Sequence, residues 1–331
     1  MRFELREMDF GMIIDRGLKL FKDNFVPLII IIALFYGPFI FMMNYSQLTL
    51  FQSFSGSNFI TNILDQLMKG KQPTPEDFNF DELMNQVGSS KLIGVYMAVA
   101  FLLLFLAPLA YLSVYRVLSE YLVGKTITIG EAIRFAGSKY KILLLAIILA
   151  VLLFMAFMCV SSIAVCGVSL LIPCLGAFIA SIFIVTVSFL ASLYMAFLPC
   201  VVANENVSSY ESLGRSWRLL KGFWWRSLSI YLLTSVIFGV IVWIFSAIGQ
   251  AVGTFLPDNL EIPYNSAIST LFTVIFQPIM WTVIFLLYID IRIRKEGFDL
   301  NILAQYISGP EQPLIGEEKP SEEINKDDTW A

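Results

Sequence analysis

The chain has 331 residues, 57% of them apolar and only 15% charged, with a mean hydropathy of +0.75. A water-soluble domain carries nearer a quarter charged residues, so composition excludes a soluble globular enzyme and points to a chain built for lipid. The formal net charge of −4 owes most to the outer loop and the C-terminal tail, and the bases sit beside apolar runs, so nucleic acid is not an expected partner.

The first 24 residues are amphipathic and mix Glu4, Glu7, Asp9 and Asp15 with Arg2, Arg6, Arg16, Lys19 and Lys22. No small-residue cleavage site follows the first apolar run, so a cleavable signal peptide is not expected. Six runs are long enough to cross the hydrocarbon, at residues 25–44, 92–115, 142–165, 175–199, 227–249 and 266–289. Stretches such as Leu102-Leu103-Leu104-Phe105-Leu106 lack the alternation of barrel strands, so the spans are helices. Between the first two, residues 45–91 form a large connection. Phe59, Ile60, Ile63, Leu64, Leu67 and Met68 give it one amphipathic helix, and Thr74-Pro75 starts a second. Within it, Asp77-Phe78-Asn79-Phe80-Asp81 imitates the start of a calcium loop. Glu82 stands where that loop turns on Gly, and Gly88 where its bidentate Glu belongs, so no metal is expected. From about residue 308 to 331 the tail is rich in Pro, Glu, Lys and Asp and reads as disordered.

An amphipathic basic stretch enters an apolar run three times, at Asp9…Phe25, Thr128…Leu144 and Ser208…Trp224. In register, Ile14, Ile133 and Leu213 coincide, then Phe21, Tyr140 and Leu220, then Lys22, Lys141 and Lys221. Thr128 with Glu131 and Ser208 with Glu211 form capping boxes, whereas the first copy has Met12 after Asp9. In the third copy Leu213, Trp217, Leu220 and Trp224 make one apolar stripe, with Arg215, Arg218 and Lys221 off it. The fold read here is all-α and polytopic: three repeats, each an interfacial amphipathic helix plus a helical hairpin, forming a membrane domain over residues 1–307. Nineteen of the 22 Lys and Arg residues fall on one side of six spans and only Lys69, Lys71 and Lys91 on the other, which predicts both termini in the cytoplasm.

Candidate chemistry is sparse. The chain has no histidine, and no Asp, Glu, Lys or Arg lies within the six span limits, so neither a catalytic nor a cofactor or metal site is expected. Cys166 and Cys174 flank a short outer turn. They would form a disulfide in an oxidising exterior or stay free as small apolar side chains. Gln277-Pro278 is the most polar mid-span feature. Pro278 frees a carbonyl of the preceding turn, so the pair either lines a polar cavity or serves interhelical packing. At the exit of the last span Asp290 and Arg294, at i and i+4, pair with each other, which leaves Arg292 and Lys295 for lipid phosphate or other partners. The residues expected to contact lipid or a partner are therefore Arg16, Lys19, Lys22, Lys141, Arg215, Arg218, Lys221, Arg292 and Arg294. Each base near an anionic leaflet contributes about 1 kcal/mol.

The strings Ser216-Trp217-Arg218-Leu219-Leu220-Lys221-Gly222-Phe223-Trp224 and Leu287-Tyr288-Ile289-Asp290-Ile291-Arg292-Ile293-Arg294-Lys295-Glu296-Gly297-Phe298-Asp299-Leu300 resemble the bacterial glycerophosphoryl diester phosphodiesterase membrane domain family. Phe10-Gly11…Asp15-Arg16-Gly17-Leu18…Phe21 is similar to that family's opening, and the likeness runs from about residue 9 to 305. It implies a multi-pass protein of the bacterial cytoplasmic membrane. With no histidine for the catalytic pair of the soluble barrel that follows in some members, phosphodiesterase activity is not expected. The function expected is a non-enzymatic module that engages membrane lipids and a cytoplasmic or membrane protein partner. The alternative is a channel, exporter or lipid-moving protein.

Overall fold

In a computed structural model the chain is described over residues 7–56, 90–171 and 173–297, and every regular element there is an α-helix. The first repeat comprises α1 (Phe10–Asp23), α2 (Phe25–Phe35), α3 (Gly37–Gly56), α4 (Ser90–Phe105) and α5 (Ala107–Leu122). The second comprises α6 (Ile129–Leu171) and α7 (Pro173–Asn204). The third comprises α8 (Ser209–Leu220), α9 (Trp224–Gly253) and α10 (Asp258–Glu296). Five helical stretches are long and apolar enough to cross a membrane: Gly94–Leu122, Ile129–Ser162, Ile182–Asn204, Trp224–Gly253 and Leu260–Glu296. The bent pair α2–α3 makes a sixth if it is one span. The connection expected over residues 45–91 is shorter, because α3 persists to Gly56 and α4 begins at Ser90. The helices expected within residues 57–89, the tail at 308–331 and the side chains of Cys166 and Cys174 lie outside the described residues.

Local sequence decides where each repeat bends. The first span turns by 57° at Tyr36. Pro38 has no N–H to continue the ladder, and its ring obstructs the carbonyl of Leu34. In the third repeat the chain leaves α8 through Gly222, whose φ of +89° suits a residue without Cβ, before α9 starts. Ile142 takes that register position in the second repeat, and the run Lys141-Ile142-Leu143-Leu144 holds no breaker. The amphipathic segment and the span are consequently one helix of 43 residues, about 64 Å long at 1.5 Å per residue. A separate interfacial helix exists in two repeats rather than three.

The repeats are packed alike. Positions 17, 136 and 216 coincide in register and hold Gly, Ala and Ser; Ala136 and Ser216 are fully buried, as are Ala132 and Ser212 one turn earlier. At Gly17 a Cβ would come within 2.8 Å of Val283 Cγ2, so α1 approaches α10 closely. The second amphipathic segment packs on α5, with the Arg116 guanidinium 4.5 Å from the centre of the Phe135 ring. The third, α8, packs on α7, and the Tyr194 hydroxyl donates to the Leu213 carbonyl at 3.0 Å. Each amphipathic segment thus lies on the returning helix of the preceding repeat, and the first lies on that of the last. The returning helices α5, α7 and α10 touch one another at the centre, while α6 and α9 lie at the periphery with most of their surface open.

The expected apolar stripe of α8 divides between protein and surface. Its protein-facing side is Ser212, Leu213, Ser216, Leu219 and Leu220, and Trp217 is exposed. Small side chains set that face because they let the helix axes approach, which bulky indoles prevent. At the other end α9 and α10 use the same device. A Cβ at Gly249 would lie 2.2 Å from Ile268 Cγ2, and one at Gly253 would lie 2.1 Å from Asn265 Oδ1. Gly249→Ala should therefore cost about 1–3 kcal/mol through overpacking, read as a lower melting temperature in detergent. Gly239→Ala, with nothing within 4 Å of the added Cβ, should leave the melt unchanged.

Candidate functional site

The charged side chains of the chain's basic end gather where α10 leaves the core. Two ionic clusters form there, each centred on an acid that lies just beyond a span. Asp290 is fully buried on α10. Its carboxylate accepts from Arg294 Nε at 3.1 Å and from the Arg226 guanidinium at 3.0 Å, and Oδ1 accepts the Met8 backbone N–H at 2.8 Å. The Met8 carbonyl in turn accepts from Arg226 and from Arg294, the latter at 3.0 Å, and Glu7 pairs with Arg294 at 2.8 Å. The backbone of Met8 is thereby clasped between two helices of the third repeat. Arg226 also lies 5.1 Å from the centre of the Phe10 ring.

Glu205, in the turn between α7 and α8, centres the second cluster. It pairs with Arg215 at 2.7 Å and lies 3.8 Å from Arg292, while the Tyr288 hydroxyl donates to it at 2.9 Å. Glu296 closes the circuit on Arg215 at 2.5 Å and Arg292 at 3.1 Å. Burial alone would lower the Arg215 pKa, but the hydrogen bond and charge of Glu205, then of Glu296, raise it above the ordinary value. Two cations are used on backbone carbonyls instead. Lys295 donates to the carbonyls of Arg218 and Lys221, capping the C-terminus of α8, and Lys139 donates to those of Val202 and Glu205.

Both expected capping boxes are present. Thr128 and Glu131 exchange hydrogen bonds, as do Ser208 and Glu211, whereas Asp9 makes no side-chain cap. The Ser208 N–H and hydroxyl hold the Glu211 carboxyl below its ordinary range. The contribution of that cap is complete at neutral pH and is lost only as the pH falls through the lowered value.

The structure separates the predicted contact residues into two groups. Arg215, Arg292 and Arg294 are held by carboxylates of the chain itself, and the Asp290–Arg294 pair forms as expected. Arg292 and Lys295, expected to be left for lipid phosphate or other partners, are engaged within the protein by Glu205, Glu296 and the α8 carbonyls. Lys19, Lys22, Lys141, Arg218 and Lys221 are exposed and Arg16 is partly exposed. Gln277 and Pro278 lie away from this end, half-buried and buried on α10. The interhelical hydrogen bonds of that region belong to other residues: Gln250 donates to Ser269 at 3.0 Å and Asn44 to Thr270 at 3.2 Å. Arg226, Glu205 and Met8 went unnoticed in the sequence. The available signal was an acid, Asp290 or Glu205, placed alone at the edge of a span among bases.

Three like units of amphipathic segment and hairpin, locked at one end by paired charges, define an all-α polytopic membrane protein. The chain belongs to the family described as Domain of unknown function (DUF7847), whose model matches residues 8–291 and so covers all three repeats. No curated protein and no solved structure matches it.

Replacing Asp290 by Asn keeps the shape but leaves two partly buried guanidiniums short of a counter-charge, a loss of about 3–5 kcal/mol. Thermal unfolding in detergent should show a large drop for Asp290→Asn. Glu7→Gln, at the exposed rim of the same cluster, should cost no more than about 1 kcal/mol.

Proposed function

We propose that the protein is a membrane-embedded scaffold or accessory subunit without catalytic activity of its own. It sits in a bacterial cytoplasmic membrane with both termini inside and engages lipid headgroups and a protein partner at its basic end. The observation that carries this reading is the packing of aromatic rings from three elements against one another between the helices. Tyr36 at the α2–α3 bend, Tyr111 on α5 and Trp281 on α10 meet with centroids 4.4–5.9 Å apart, and Tyr115 stacks on Phe285 at 5.9 Å. Rings packed this way fill the space between α5, α10 and the α2–α3 bend, which speaks against a conducting path there. The exposed bases Lys22, Lys141, Arg218 and Lys221, with Trp217 and Trp225 open beside the last two, supply the outward surface. The concentration of bases at the helix ends supports the inward placing of both termini. The likeness of 287–300 to the glycerophosphoryl diester phosphodiesterase membrane domain supports the bacterial membrane.

The alternative, a channel, exporter or lipid-moving protein, draws on the row Asn265, Ser269, Thr273 and Gln277, spaced four apart on the outer half of α10. Purified protein in proteoliposomes should give no solute-driven swelling, and a photo-crosslinking residue at Arg218 should trap one protein in cells. Swelling that disappears in Gln277→Leu would replace the scaffold reading with the transport one.

A further inference from the structure

The repeat register and the exposure pattern meet at one boundary. Lys22, Lys141 and Lys221 occupy the same position in the three repeats, and all three are exposed. Four residues later, again in register, stand Val26, Leu145 and Trp225, with 62%, 51% and 82% of their surfaces open. An exposed cation followed four residues on, at or just past the entry to the apolar helix, by an exposed apolar side chain is the arrangement that places the ammonium among headgroups and the apolar group among acyl chains. Inward-facing positions of the same stretch are filled by protein in each repeat: Ile31, Ala150 and Ile230, also in register, are all buried. Because the amphipathic segments pack cyclically on α10, α5 and α7, the three lysines lie on different sides of the bundle rather than on one face.

We infer that Lys22, Lys141 and Lys221 form an annular contact for anionic phospholipid, one phosphate-bearing headgroup per repeat, around the whole circumference of the protein. This rests on the headgroup part of the function proposed above and is independent of whether a protein partner binds. A protein partner docks on one side, whereas three equivalent lysines spaced around a bundle fit a ligand that surrounds it. Arg215, Arg292 and Arg294 are excluded from the annulus, since they neutralise Glu205, Glu296, Asp290 and Glu7 within the protein.

The test is competition between phosphatidylglycerol and phosphatidylcholine for the full-length protein, read by native mass spectrometry of the lipid adducts. The wild type should prefer phosphatidylglycerol. Lys22→Gln, Lys141→Gln and Lys221→Gln should each weaken that preference by a similar factor, about fivefold, and the triple variant should abolish it. The corresponding Lys→Arg variants should retain it, which separates loss of charge from damage to the fold. Inorganic phosphate should not displace the lipid. An unchanged preference in the triple variant, a loss confined to one lysine, or displacement by inorganic phosphate would each overturn the annulus. Failure of the scaffold reading would appear instead as solute flux, with the lipid preference intact.

Discussion

Close approach of helices through small side chains is the constraint on which this architecture depends. Apolar side chains already rest in an apolar medium within a membrane, so helices gain little from hiding them and hold together through intimate contact and hydrogen bonds. Gly17, Ala136 and Ser216 serve that need at the same point of each repeat, and Gly249 and Gly253 serve it where α9 meets α10. With the amphipathic segments drawn in this far, the C-terminal ends of the returning helices α5, α7 and α10 are enclosed. The side chains of the last turns of α10 have to find partners inside the protein.

That enclosure explains how the charges are divided. A base whose position faces protein needs a carboxylate nearby, because moving an unpaired ion out of water costs several kcal/mol. Asp290, Glu205 and Glu296 meet the requirement for Arg226, Arg294, Arg215 and Arg292. Where an ammonium is turned to the backbone instead, as with Lys295 and Lys139, carbonyls left open near helix ends accept from it. Lysines at the outward register positions face no such demand and keep their charge at the surface. The same basic composition therefore serves internal cohesion and an outward contact, and the side of the helix on which a base falls decides which.

Periodicity and composition were enough to read the helices, the threefold plan and the two capping boxes, since each depends on residues a few positions apart. The Asp290–Arg294 pair was legible for the same reason. Two kinds of feature were not. The bends at Tyr36 and Gly222, and the absence of one near Ile142, turn on single residues whose effect is local but whose result depends on the packing around them. Most partners of Asp290 and Glu205 come from positions distant in the chain, Met8 and Arg226 for one, Tyr288 and Arg292 for the other, while Arg215 stands ten residues from Glu205 across a turn. Spacing carries no information about such meetings, so Arg215 and Arg292 read as surface bases when they are internal ones.

The clasp of Met8 by Asp290 joins residues 282 positions apart. The second and third amphipathic segments are tied by short turns to the helices they pack on, but α1 has no such tether to α10. It is synthesised well before the helix it belongs against. At about 5–20 residues per second the wait is on the order of tens of seconds. During biosynthesis α1 must therefore find temporary company, and a unit made early is finished late.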